Sequence, residues 1–274
     1  MAHQMRIVSR SPNLNVMANA AFYAARSLIR DYGEVEHLQV SRKGPGDFVS
    51  TADKKAEASI YKDLKKARPS YGFIMEEGGE IPGEEDYTWI IDPLDGTTNF
   101  LHAIPHFAIS IALQKGTEII AGVIYDPIKD ELFYAEKGGG AFLNERRLRV
   151  SARQHLADSL LATGIPFAAH TAENRTKFQE SLNRVMPYVA GVRRMGAAAL
   201  DMAYVAAGRY DGYWELGIQS WDIAAGIVLI QEAGGYICDL SGGEDILGTQ
   251  SILATNQALN QPLRDLLLPC YQGK

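Results

Sequence analysis

The sequence predicts a layered α/β fold, an α+β arrangement in which helices stack on mostly antiparallel sheets. Three observations predict it. Helical and strand-like segments are mixed along the chain without strict βαβ alternation. Strand-like segments separated by Gly, Asp-Pro or Lys-Asp turns follow one another between Trp89 and Leu143, the pattern of a meander. At 274 residues and 46% hydrophobic content, the chain is long enough to bury a sizeable core.

The elements follow in order. Asn15 to Tyr32 has Val16, Ala20, Tyr23, Ala24 and Leu28 on one helical face, and Gly33 supplies a stop. Val40 to Asp47 is turn-rich and basic. A second helix starts near Asp53, as its cap, and ends before Pro69. Tyr71–Met75 is a short apolar run ending in Glu76-Glu77, and an acidic loop covers Glu80 to Asp86. Trp89–Asp92, Ala108–Lys115, Ile119–Asp126, Glu131–Glu136 and Ala141–Leu143 are expected strands. Helices are expected over Glu173–Met186, Gly196–Ala207, Trp221–Ala233 and Ala258–Leu268. Strands are expected at Tyr210–Glu215, Tyr236–Asp239 and Ser251–Thr255. A boundary near residue 150 divides an N-terminal α+β lobe (1–150) from a C-terminal α/β lobe (151–274) within one compact unit.

Composition narrows the function. A net charge of -6 argues against a general nucleic-acid binder. It leaves room for an anionic substrate, because a bound metal inverts the local charge. Cys238 and Cys270 are too few for a disulfide-stapled secreted fold. No apolar run reaches the ~18–20 residues of a membrane span, and the first residues lack the apolar core of a signal peptide. The expectation is a cytoplasmic protein.

The most informative stretch is Trp89-Ile90-Ile91-Asp92-Pro93-Leu94-Asp95-Gly96-Thr97-Thr98-Asn99-Phe100. An apolar strand delivers Asp92 and Asp95, whose oxygens suit a hard cation such as Mg²⁺. Pro93 disfavours helix at Asp92, so both carboxylates and the Leu94 carbonyl can face one point. The Gly96-Thr97 turn offers backbone N–H groups to a phosphate oxygen. An acidic turn with a capping Asp is the plainer reading of Asp-Pro-x-Asp, weakened by the Gly-Thr-Thr that follows and by Trp221-Asp222 downstream. Phosphatases that form an aspartyl-phosphate space their two Asp one residue apart. Here two residues intervene, which favours metal ligands and a water nucleophile.

Glu76-Glu77, the Trp89–Phe100 motif and Trp221-Asp222-Ile223-Ala224-Ala225-Gly226 together resemble the signatures of the inositol monophosphatase family. Arg193-Arg194-Met195-Gly196-Ala197-Ala198-Ala199-Leu200-Asp201 and Gly208–Glu215 resemble its bacterial SuhB-type members. The resemblance implies alternating αβαβα layers and a Mg²⁺-dependent phosphomonoesterase acting on inositol-1-phosphate-type substrates through a metal-activated water. It implies one metal on Glu76, Asp92 and the Leu94 carbonyl, a second on Asp92, Asp95 and Asp222, and a weaker third near Glu76. That makes two to three Mg²⁺ per subunit, with Mn²⁺ able to substitute, and lithium sensitivity. It also implies a homodimer. SuhB-type relatives in some bacteria bind the transcription machinery as well, a second role with a different kind of partner.

Other roles carried by the resemblance each stand beside a plainer reading. Thr97 holds phosphate with Gly96 and passes a proton from the nucleophilic water towards Asp47, or it is a helix N-cap. Asp47 is that acceptor or a turn residue. Asp53 caps the second helix or sits behind Thr97. Lys43, or Arg42 beside it, is the cation of a loop that closes over the metals, or a solvated charge. Glu215 receives inositol hydroxyls, with Gly196, Ala197 and Ala198 lining the same place, or it is a strand-end carboxylate. His102 and His106 are structural, with no Cys near to form a zinc set. Two departures touch substrate preference: Ala197 stands where relatives often carry Ser, and Gly217-Ile218-Gln219-Ser220 lacks a basic residue before Trp221. Substrates of neighbouring branches stay open: fructose-1,6-bisphosphate, 3′-phosphoadenosine 5′-phosphate or histidinol phosphate.

Overall fold

The computed structural model describes residues 11–34, 51–166 and 171–271 in full, and the backbone of residues 40–44 and 47–50. The helices are α1 (Pro12–Tyr32), α2 (Thr51–Ala67), α3 (Thr97–Leu101), α4 (Ala172–Val185), α5 (Ala198–Ala206), α6 (Ser220–Glu232), α7 (Ile246–Thr249) and α8 (Gln257–Tyr271). The strands are β1 (Val40–Gly44), β2 (Asp47–Ser50), β3 (Gly72–Met75), β4 (Gly79–Ile81), β5 (Tyr87–Asp95), β6 (Ala108–Lys115), β7 (Glu118–Asp126), β8 (Glu131–Glu136), β9 (Gly140–Leu143), β10 (Arg146–Arg147), β11 (Leu160–Thr163), β12 (Gly191–Arg193), β13 (Gly212–Leu216), β14 (Tyr236–Cys238) and β15 (Ser251–Thr255).

These pieces stack in five layers. Strands β10-β9-β8-β7-β6-β5-β3-β4 form an eight-stranded sheet, antiparallel except where β3 runs parallel to β5. Strands β12-β11-β13-β15-β14 form a five-stranded mixed sheet. On one face of the large sheet, Trp89, Ile91, Ile109 and Val123 pack with Met17, Ala21 and Leu28 of α1 and Ile60 and Leu64 of α2. On its other face, Ile90, Ala112, Ile124 and Phe133 pack with α5 and α6, which also receive Ala162, Tyr213, Ile252 and Ala254 of the small sheet. Leu161, Trp214 and Leu253 point the opposite way, toward Val185 of α4 and Leu263 and Leu267 of α8. The αβαβα layering implied by the resemblance is the layering found.

Local sequence explains the elements. Helix α1 begins three residues before its periodic pattern, because the Ser11 hydroxyl accepts the Leu14 N–H at 3.2 Å and Pro12 stands at the first helical position. Helix α6 is buried continuously from Ile223 to Ile230, as a helix sandwiched between two sheets must be. It approaches the large sheet so closely that a Cβ at Gly122 would lie 2.6 Å from the Ala225 carbonyl oxygen.

Several expectations are corrected. Residues 40–44 and 47–50 pair as two antiparallel strands, with Val40 opposite Ser50, where the sequence predicts a turn-rich segment. Asp53 is not the cap of α2, which begins at Thr51. The acidic loop contains the short strand β4, and β11 and β12 went unpredicted. Replacing Gly122 by Ala is expected to cost about 1–3 kcal/mol, because the obstructing atom is backbone. Urea unfolding checks this, and an unchanged midpoint would mean that α6 does not sit this close.

Candidate active site

The site begins with an irregularity in β5. Side chains three apart on a regular strand point to opposite faces. Asp92 pairs with Ser110 and Asp95 with Ala108, so β5 carries one extra residue between them, a β-bulge at Pro93-Leu94. Pro93 lacks an N–H to donate to the ladder, which suits it to a bulge. The bulge turns both carboxylates to one side, and oxygens of Asp92, Asp95 and Asp222 all lie within 4.8 Å of one another.

Each carboxylate is held by backbone N–H groups. Leu94 N–H donates to Asp92 Oδ1 at 2.9 Å. The two oxygens of Asp95 accept the Ala198 and Ala199 N–H groups at 3.2 and 2.8 Å, across the first turn of α5. Asp222, in the first turn of α6, accepts the Gln219 N–H at 2.9 Å. In both cases a carboxylate meets the positive end of a helix dipole. Met75 stands opposite Ile91 on the parallel strand, and Glu76 N–H donates to the Ile91 carbonyl at 3.2 Å, which sets Glu76 beside Asp92. Glu76 is half-buried and lies outside the group of three, yet its charge is the strongest electrostatic influence on Asp92.

Gly96 follows with φ of 91°, a left-handed conformation that favours glycine. A Cβ there would lie 3.0 Å from the His106 carbonyl oxygen and 3.3 Å from the Ala197 Cβ. Gly96 is the N-cap of α3, which removes the N-cap reading of Thr97. The Thr97 hydroxyl instead lies 3.0 Å from Asp53 Oδ1 and 3.0 Å from the Leu94 carbonyl oxygen, and its one proton serves either acceptor in turn. Among the described residues the carboxylate facing Thr97 is the fully buried Asp53, which takes the place behind Thr97 that the sequence offered it. The side chains of Asp47, Arg42 and Lys43 lie outside the described residues.

The far wall is Glu215 at the end of β13. Tyr213 donates its phenol O–H to Glu215 Oε2. A Cβ at Gly164 would fall 1.8 Å from Glu215 Oε1, so the glycine makes the room this carboxylate occupies. Gly196 has φ of 81° and stands before α5, and Ala198 contributes its N–H to Asp95. The sequence reading missed Asn99, whose side-chain amide donates to the carbonyls of His106 and Met195, both at 2.8 Å, and ties the motif to the segment entering α5. It also missed Asp201, 2% exposed, whose Oδ1 has no partner among the described residues. An acid one turn into an Ala-rich helix was the available signal for it. His106 is buried, with burial and then the Lys129 charge lowering its pKa to about 4, and His102 Nδ1 meets the Thr98 carbonyl oxygen at 2.8 Å.

Burial and mutual repulsion dominate the electrostatics. Burial first, then the charges of Glu76, Asp95 and Asp222, push the Asp92 carboxyl well above its ordinary value. Asp222 is raised well above the carboxylate range by burial and the Asp95 charge. Asp95 is raised to about 7 by burial, against the N–H groups of Ala199 and Ala198. Glu215 is raised to about 7 by burial, opposed by the Tyr213 hydrogen bond and the Arg194 charge. Burial also raises Asp201, with Glu215 and Asp95 adding to it. A hard divalent cation fits this donor set: the clustered side chains offer carboxylate oxygen, with neither Cys nor His among them.

Known proteins resemble this chain over nearly its whole length. The profile of the inositol monophosphatase family matches residues 10–268. An inositol-1-monophosphatase of Mesorhizobium japonicum is 56% identical over 257 residues, covering 93% of this chain and 96% of that one. A protein of Pseudomonas aeruginosa named Nus factor SuhB is 43% identical over 261 residues, covering 94% and 96%. The crystal structure of the extragenic suppressor protein SuhB from Bartonella henselae superposes with a TM-score of 0.91 at 54% identity, covering 96% of this chain and all of the other.

The raised carboxylates predict the pH dependence of stability. Between the unfolded carboxyl values near 4 and the folded values of about 7 for Asp95 and Glu215, the folded protein binds protons that the unfolded chain does not. Metal-free protein is therefore expected to gain stability as pH falls from about 8 to about 6, and the gain is expected to shrink in Asp95→Asn. Thermal unfolding across pH checks this; a slope unchanged by the substitution would contradict it.

Proposed function

The chain belongs to the inositol monophosphatase family, and from that premise we propose that it is a Mg²⁺-dependent phosphatase of inositol-1-phosphate-type sugar-alcohol monophosphates. The observation that carries the reading is the convergence of Asp92, Asp95 and Asp222 beside the hydrogen bond from Thr97 to Asp53. Asp92, Asp95, Asp222, the Leu94 carbonyl and Glu76 are the residues that would hold two to three ions. When bound, divalent ions lower the pKa of water at the site and neutralise charge on the phosphate and the leaving oxygen.

The chain's own residues do the rest. The Thr97 hydroxyl accepts a hydrogen bond from the attacking water while donating to Asp53, so the proton leaves along Thr97 toward a buried carboxylate. The N–H groups of Gly96 and Thr97, at the start of α3, take phosphate oxygens. With one oxygen of Glu215 occupied by Tyr213, the other is available to the hydroxyls of a polyol. Gly196 and Ala198 border the same space, and Lys43 is proposed as the basic residue that closes over the metals.

The relative named Nus factor SuhB favours a second reading, a partner in the transcription machinery alongside the enzymatic role. Capture of defined transcription factors by both wild type and Asp95→Asn would support it, and absence of capture by wild type would remove it.

The activity test is a panel of phosphate esters compared by kcat/KM with Mg²⁺ titration and a lithium control. Inositol 1-phosphate is expected to lead, and preference for fructose-1,6-bisphosphate would replace the substrate assignment. Asp95→Asn and Asp222→Asn are expected to lower kcat about 10³-fold or more. Thr97→Val and Asp53→Asn are each expected to lower it about 10²-fold or more, with the double variant no worse than the worse single, because the pair acts as one unit. Near-normal turnover in either single variant would overturn the proton path.

A further inference from the structure

Helix α2 holds a second buried acid that the proposed mechanism does not use. Glu57 lies four residues after Asp53, so both side chains lie on one face of α2. Glu57 is 6% exposed, and its Oε2 accepts the Glu77 N–H at 2.8 Å. Gly78 sits against the same carboxylate: a Cβ there would lie 3.0 Å from Glu57 Oε1 and 2.8 Å from the Met75 Cε. Burial raises the Glu57 pKa most, while the N–H groups of Glu77 and Gly78 oppose that by favouring the ionised form. A buried carboxylate has thus been placed to grip the turn that follows β3, at the cost of standing close to the Glu76 and Glu77 charges.

That turn carries Glu76. Its entry is fixed by the Glu76 N–H on the Ile91 carbonyl, and its exit by Glu57 on Glu77. Meanwhile Asp53, one turn earlier on α2, holds Thr97. One rigid helix therefore spaces two segments of the site that lie apart in sequence.

We propose that Glu57 is a positioning residue for cation binding: it fixes the backbone after Glu76 so that the Glu76 carboxylate is presented to the ions held by the aspartates. The inference rests on the proposed metal site. Loss of the grip lets Glu76 swing and weakens the ions that depend on it, while the Asp92–Asp95–Asp222 group keeps its own supports. Gln at position 57 can accept one N–H through its amide oxygen but presents a donor to the other, so it keeps part of the grip.

The test is Mn²⁺ binding to the full-length protein, followed by electron paramagnetic resonance of the free ion, with thermal unfolding of the metal-free forms alongside. Glu57→Ala is expected to raise the dissociation constant of the Glu76-dependent Mn²⁺ about 10-fold or more, and Glu57→Gln by a smaller factor. The kcat at saturating metal should change far less than the metal requirement. Equal losses in Gln and Ala would assign the effect to the removed charge and overturn positioning. A lowered unfolding temperature with unchanged Mn²⁺ affinity would make Glu57 merely structural, also overturning it. If Glu57→Ala does not fold, Glu57→Gln with an unchanged Mn²⁺ affinity does the same. Failure of wild type to bind Mn²⁺, or binding by Asp95→Asn as tight as wild type, would instead sink the metal site itself.

Discussion

Carboxylates crowded together away from water repel one another, and the architecture of this site follows from how that repulsion is contained. The same device recurs at four of these acids: a carboxylate oxygen accepts backbone N–H groups. Leu94 serves Asp92, Ala198 and Ala199 serve Asp95, Gln219 serves Asp222, and Glu77 serves Glu57. These bonds favour the ionised forms, but burial outweighs them, and the carboxyls remain raised. The residual cost is what makes a cation welcome. A divalent cation held there would replace protons and relieve repulsion at once.

The five layers exist, from the site's point of view, to bring helix ends to a bulged strand. The central layer is decisive. Helices α5 and α6 lie between the two sheets, and the first turn of each meets an aspartate of the cluster. Gly122 permits α6 to come close enough, and Gly96 permits the chain to turn under Ala197. On the opposite side of the large sheet, α2 supplies Asp53 to Thr97. Three parts of the polypeptide thus reach one point from strand, helix and helix, which leaves little freedom for the acids to part.

Much of this was legible in the sequence, for identifiable reasons. The meander strands showed because their apolar runs are bounded by turns, and β6, β8 and β15 fall where the pattern puts them. Asp92 and Asp95 showed because acids end an apolar run there, and Asp222 because its Trp221-Asp222 element resembles a family signature. The short strands β11 and β12 stayed hidden because a few residues carry no period, and parallel pairing is set by the rest of the sheet. Asp53 read equally well as a helix cap or as a residue behind Thr97. Its neighbours in sequence do not decide between the two, and only the packing of α2 against the motif sets it on Thr97. Asn99 and Asp201 were missed because an amide or acid reached only through tertiary contact looks, in sequence, like any polar residue on a helix.

The central claim is that Asp92, Asp95 and Asp222 together hold divalent cations. Anomalous diffraction from crystals grown in Mn²⁺ tests it most directly. The account predicts manganese peaks bridging these carboxylates, with one also reaching the Glu76 side. Manganese absent from this cleft, with the aspartates turned away from one another, would contradict it.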